Sequence, residues 1–147
     1  MKRVSRSAIV EHPAEAIYAL IEDIESYPEF LPWCRGASVQ SRGAERTVAT
    51  LRVGVRGIKQ SFTTENLNTP DRAIEMRLVE GPFKRFSADW RLTPLGAHAA
   101  RVEFTMAYEF SSRVLAKMLE PLFGQIANTM VDAFVRRADA LHDRSAH

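Results

Sequence analysis

Between Leu115 and Leu141 the apolar residues fall on one helical face: Leu115, Met118, Leu119, Leu122, Phe123, Ile126, Met130, Phe134, Ala138 and Leu141. A stripe of about seven turns needs an apolar surface of matching length to cover it. Upstream, from residue 35 to 110, the period changes to two, the signature of strands. Strands are predicted at 35–42, 46–55, 58–68, 73–79, 85–94 and 100–110, with breaks at Gly43, Gly54/Gly57, Pro70-Asp71, Gly81-Pro82 and Pro94-Leu95-Gly96. The last two alternate most cleanly. Phe86, Ala88, Trp90 and Leu92 oppose Arg85, Ser87, Asp89 and Arg91, while Val102, Phe104, Met106, Tyr108 and Phe110 oppose a polar set. One sheet face is therefore apolar and one solvated, as in an antiparallel sheet covered on one side. The helix is the cover. Pro121 is expected to break it into a short and a long piece, because proline lacks the N–H and clashes one turn back.

The N-terminal part fits the same plan. Residues 3–11 read as a first strand, and Pro13 with Glu15 suits a helix start. Ile17, Leu20, Ile21 and Ile24 then put one apolar face on a short helix over 13–24. The predicted class is α+β, with helices on one face of a curved antiparallel sheet. The 147 residues suit a single domain with its core at about 2–142.

Tyr27-Pro-Glu-Phe-Leu-Pro-Trp-Cys34 departs from ordinary loop chemistry, holding three aromatic rings, two prolines and one charge. Loops are usually polar. This one must plug a core or line the mouth of an apolar cavity, and the residues alone leave both open.

Several function classes find little support. No apolar run nears the roughly 18 residues of a membrane span, and the basic start Lys2-Arg3 lacks the apolar stretch of a secretory signal. The single cysteine, Cys34, builds no disulfide framework and reads as a packed thiol, which suits a reducing cytoplasmic compartment. His12, His98, His142 and His147 have no metal-ligand spacing, and Gly54 and Gly57 precede no helix that could cradle phosphate. Asp89 and Glu103 alternate with arginines, as in a surface charge lattice. No catalytic residue or metal ligand is assigned. The net charge of +2 argues weakly for nucleic acid, yet Lys2, Arg3, Arg6, Arg52, Arg56, Lys59, Lys84 and Arg85 could line phosphates. They could equally form a solvated face interleaved with Glu45, Glu65, Glu75 and Asp89.

Four segments, in order, carry a family resemblance: Tyr27–Cys34, Glu80-Gly-Pro-Phe-Lys84, Trp90-Arg-Leu-Thr-Pro94 and Ala133-Phe-Val-Arg-Arg-Ala138. Together they resemble the START-like coenzyme Q-binding proteins and their bacterial relatives, the ribosome association toxins, a group also described as polyketide cyclase/dehydrase-like. The resemblance spans roughly residues 2–142. It implies a helix-grip fold, a sheet wrapped around the C-terminal helix and enclosing an apolar tunnel. It also implies non-catalytic binding of ubiquinone or another polyprenyl lipid in support of respiration. The same resemblance offers two other activities: blocking subunit joining on the large ribosomal subunit, and polyketide cyclase chemistry.

On the lipid reading, Phe30, Leu31 and Trp33 form the mouth. Phe62, Met76, Phe86, Trp90, Phe104, Met106 and Tyr108 form the sheet wall, with Phe123, Ile126 and Met130 on the helix. The same residues could be plain core. Two or three buried isoprene units would supply on the order of 8–12 kcal/mol gross, comparable with an association cost of roughly 4–15 kcal/mol. The chain is expected in the cytoplasm, with transient contact at the inner membrane face. A cyclase would need a buried acid or base, for which the apolar positions offer only Tyr108 and neutral groups such as Gln60 and Thr64.

Overall fold

The computed structural model describes residues 2–55 and 57–145, without the side chains of 55 and 142–145. Arg56, the His142 side chain and His147 lie outside the described residues. The chain runs β1 (Lys2–Val10), α1 (Ala14–Glu22), a 3₁₀ turn (Ile24–Glu29), β2 (Cys34–Arg42), β3 (Arg46–Val55), β4 (Ile58–Thr69), β5 (Ala73–Glu80), β6 (Phe83–Pro94), β7 (Ala100–Phe110) and α2 (Arg113–Ser145). Every period-two segment is a strand, shifted by at most about two residues at its ends. The seven strands form one sheet in the order β1-β7-β6-β5-β4-β3-β2, each neighbouring pair antiparallel.

Register shifts between Cys34 and Gly36, Val39 and Ser41, Thr63 and Thr64, and Phe83 and Arg85 interrupt the ladders. Such bulges bend the strand that carries the extra residue and raise its twist. They give the sheet the curvature to grip a helix. Phe123 on α2 touches Phe62 of β4, Phe83 of β6 and Tyr108 of β7 with ring centroids 5.7, 5.0 and 6.1 Å apart. At the β1 edge, Lys2 pairs with Glu120 and Arg6 with Asn128, both on α2. His12 Nε2 lies 2.6 Å from Asp139 Oδ1, tying the start of α1 to the far part of α2.

Three expectations need correction. α2 runs unbroken through Pro121 and Gly124. Leu119, Leu122 and Phe123 are all buried beside the proline, and their packing offsets the lost hydrogen bond. Met118, placed on the apolar stripe by spacing, is 50% exposed. It sits near the start of the helix. α1 also stops before Ile24, and the chain continues as the 3₁₀ turn with Pro28 inside.

Candidate functional site

The expected ligand wall separates into two aromatic groups. At one end Phe62, Phe86, Tyr108 and Phe123 meet Phe83 and Phe110, with Phe83 stacked on Phe110 at 5.2 Å. At the other end Trp90 packs on Phe104 at 4.7 Å and on Phe134 at 5.2 Å, and Phe30 meets Phe134 edge-on at 5.1 Å. Met106, Ile126 and Met130 are buried in the same core, and Met76 is half-buried against it. Phe83, Phe110 and Phe134 complete the groups. Of these, Phe110 and Phe134 were visible as strand and helix positions, and Phe83 as part of the Gly-Pro-Phe segment.

Sheet and helix rings touch directly. A cavity of about 20 Å³ lies among Ile21, Tyr27, Leu51, Thr64, Met76 and Trp90. That is room for about one water molecule and far too little for an isoprene unit. One wall is polar, Thr64 Oγ1 donating to Asn66 Oδ1 at 2.8 Å; further along β4, buried Asn68 Nδ2 donates to Thr47 Oγ1 of β3 at 3.1 Å. These neutral inward groups interrupt the apolar faces of β3 and β4; the sequence pointed to Thr64, and tertiary placement adds Thr47, Asn66 and Asn68.

The aromatic segment divides the two roles that its composition left open. Leu31 and Trp33 are each 1% exposed and plug the space below α2. Phe30 is half-buried, with the Arg137 guanidinium 5.2 Å above its ring and Arg137 also 3.3 Å from Glu29. Together with Pro32, Trp33 and α2 residues including Thr129, Asp132 and Arg136, it lines a surface cleft of about 380 Å³. The Tyr27 hydroxyl donates to the Ile21 carbonyl, which fixes the turn.

Acid–base chemistry has few resources in this interior. Among the described residues the buried polar side chains are His12, Thr47, Thr64, Asn66 and Asn68, none of them a carboxylate. The Tyr108 hydroxyl and Trp33 Nε1 are buried without a hydrogen-bond partner, and burial pushes the Tyr108 phenol above its ordinary range. Cys34 is buried, its Sγ 3.5 Å from the Gly36 carbonyl, and burial likewise raises its thiol. Among the described residues no three His, Cys, Asp or Glu side chains gather as a metal site.

The solvated face is chemically richer. Several carboxylates expected to neutralise the basic set are engaged elsewhere: Glu65 with Arg46, Glu75 with Arg77 and Asp89 with Arg91, at 2.5, 3.4 and 3.3 Å. Lys2 is paired with Glu120, and Lys84 lies 3.9 Å from Glu109. Arg52 and Lys59 instead come together with Arg35, which the sequence reading did not include. All three line an open groove of about 470 Å³ whose other walls are Val53, Gln60 and Ser61.

The chain's residues 10–135 match the family model described as polyketide cyclase / dehydrase and lipid transport. The chain belongs to that family. Within it, the ribosome association toxin RatA of Vibrio cholerae is 42% identical over 142 residues, covering 97% of this chain and 99% of the relative. The mitochondrial coenzyme Q-binding protein of Dictyostelium discoideum is 26% identical, covering 92% of this chain and 68% of its own length. Among solved structures, the Zhui aromatase/cyclase from Streptomyces superposes with a TM-score of 0.83 at 20% identity, over 94% of this chain and 93% of that one. That likeness shows a shared START-like fold. Among the described residues no helix is long and apolar enough to cross a membrane.

Proposed function

We propose that this chain is a ribosome association toxin, which binds the large ribosomal subunit in the cytoplasm and blocks subunit joining without catalysing a reaction. One observation carries the reading: 42% identity to a ribosome association toxin over nearly the full length of both chains. The quinone-carrier reading rests on a relative at 26% identity and takes second place. Direct contact between sheet and helix rings supports this order. Induced expression followed by sucrose-gradient profiling tests the proposal. Free subunits should rise at the expense of 70S particles, and an unchanged profile would sink it.

A second reading, binding of ubiquinone or a related polyprenyl lipid, keeps one specific observation in its favour. The Tyr108 hydroxyl and Trp33 Nε1 are buried donors without acceptors, which a quinone carbonyl could satisfy. Phe30, Leu31 and Trp33 would then be the mouth, Phe62, Met76, Phe86, Trp90, Phe104, Met106 and Tyr108 the sheet wall, and Phe123, Ile126 and Met130 the helix wall. The interior must open for this to work. Native mass spectrometry and solvent extraction of protein from its own host would find a quinone on this reading, and its absence would dismiss it.

A further inference from the structure

We propose that Arg35, Arg52 and Lys59 form a docking site for the sugar–phosphate backbone of folded RNA, and so are the contact through which the chain holds the large subunit. This rests on the ribosome-association reading above and adds the surface and the chemistry.

Three observations carry it. Arg35, Arg52 and Lys59 line one open groove of about 470 Å³ that contains no carboxylate among its walls. Elsewhere on the sheet, Arg46, Arg77, Arg91 and Lys84 each lie within ion-pair reach of an acid. Three converging cations with no local acid repel one another, and a polyanion laid across them relieves that repulsion.

The convergence is built into the backbone. The register shift between Cys34 and Gly36 leaves Arg35 as the extra residue of a bulge in β2. A Cβ at Gly54 would lie 3.4 Å from Lys59 Cγ and 3.5 Å from Arg35 Cγ. The stems of a β2 and a β4 cation therefore pass close over this one glycine of β3. A Cβ at Gly36 would meet the Arg52 guanidinium at 2.2 Å, so Arg52 lies across β2 in space that only glycine leaves free. Two glycines and one bulge thus bring cations from three strands into a single groove.

The groove's other polar walls, Gln60 and Ser61, suit phosphate and ribose oxygens. No aromatic ring lines it, so it offers no platform for stacking unpaired bases. Recognition of backbone and shape, independent of sequence, is what remains. Glu80, which lines the neighbouring groove with Ser61, bounds the site on that side.

The test is co-sedimentation of the full chain with purified large subunits across a salt series. The variant is Arg35→Gln/Arg52→Gln/Lys59→Gln. The control is Arg72→Gln/Arg101→Gln/Arg113→Gln, three exposed arginines outside the groove and without an ion pair among the described residues, with the same loss of charge. Wild type should bind with a log–log salt slope near −2 to −3, at about 0.7–0.9 per phosphate contact. The groove variant should bind at least about 30-fold more weakly at moderate salt, with most of the slope gone, while the control stays within about threefold. Each single variant should reduce the slope by about 1, which separates lost contacts from misfolding of the triple.

If wild type binds no subunits, the ribosome reading fails and this site with it. If wild type binds and the groove variant binds equally well, the site is wrong and the ribosome reading stands. Equal weakening of groove variant and control would reduce the effect to net charge and overturn the site. Pelleting with phosphatidylglycerol vesicles is the last arm. Loss there, with subunit binding intact, would assign the groove to a membrane surface and also overturn the proposal.

Discussion

Trp33 and Phe30 stand three residues apart and differ in what surrounds them. Trp33 is 1% exposed, so Trp33→Ala should cost about 3–5 kcal/mol of unfolding free energy in a denaturant titration. Phe30→Ala removes a half-buried ring and should cost only about 1–2 kcal/mol. Near-equal losses would mean that the segment is a surface lid and not a plug. Cys34 offers a second check. Burial raises its thiol, so alkylation of the native protein at pH 8 should be roughly a hundredfold slower than of the unfolded chain, and should quicken as pH rises. Fast native labelling would show that the core opens readily. The sequence marked Trp33 and Cys34 by type, a tryptophan and a lone cysteine directly after Pro32. Their burial depended on α2 and the sheet closing over them from distant parts of the chain.

At the scale of elements, the strands were legible because their period is local: residues two apart share a face whatever the fold. The helix period was equally legible, but its continuity was not. Proline's local cost predicts a break at Pro121, while the buried Leu119, Leu122 and Phe123 hold both sides in one line. Pro121→Ala should therefore raise stability by about 1–3 kcal/mol in thermal or denaturant unfolding, since alanine restores a donor without moving the helix. A loss of stability would show that the proline shapes the packing. Gly54 works the opposite way. An added Cβ would sit 2.9 Å from the Ile58 carbonyl, and backbone on both sides resists moving. Gly54→Ala should cost about 1–3 kcal/mol by the same measurement and loosen the β3–β4 hairpin next to the basic groove.

Among the described residues the ion pairs are mostly exposed, so screening by water and salt leaves each of them contributing little to stability. High salt should then separate fold from function. In 1 M NaCl the unfolding midpoint should move by only a few degrees, whereas association with large subunits should collapse. Binding that survives such salt would point to an apolar contact, with the cleft beside Phe30 the first place to look. The sheet's curvature also belongs to this scale. It comes from bulges spread over β2, β5 and β6, and no single strand pattern announced it.

By itself the sequence determined the elements, their faces and the pairing of a long helix with an antiparallel sheet, because those follow from periods of 2 and 3.6 along a local stretch. It also marked the thirteen residues of a possible ligand wall as apolar partners. Whether they enclose space or fill it was decided by tertiary structure, since packing depends on distances between residues such as Phe62 and Phe123 that are remote along the chain. The same holds for charge. Spacing showed many cations and nearly as many acids, but only the folded sheet decided which were paired and which, as at Arg35, Arg52 and Lys59, were gathered without a counter-charge. On the proposed reading, the solvated face around those three cations is where the ribosome is held.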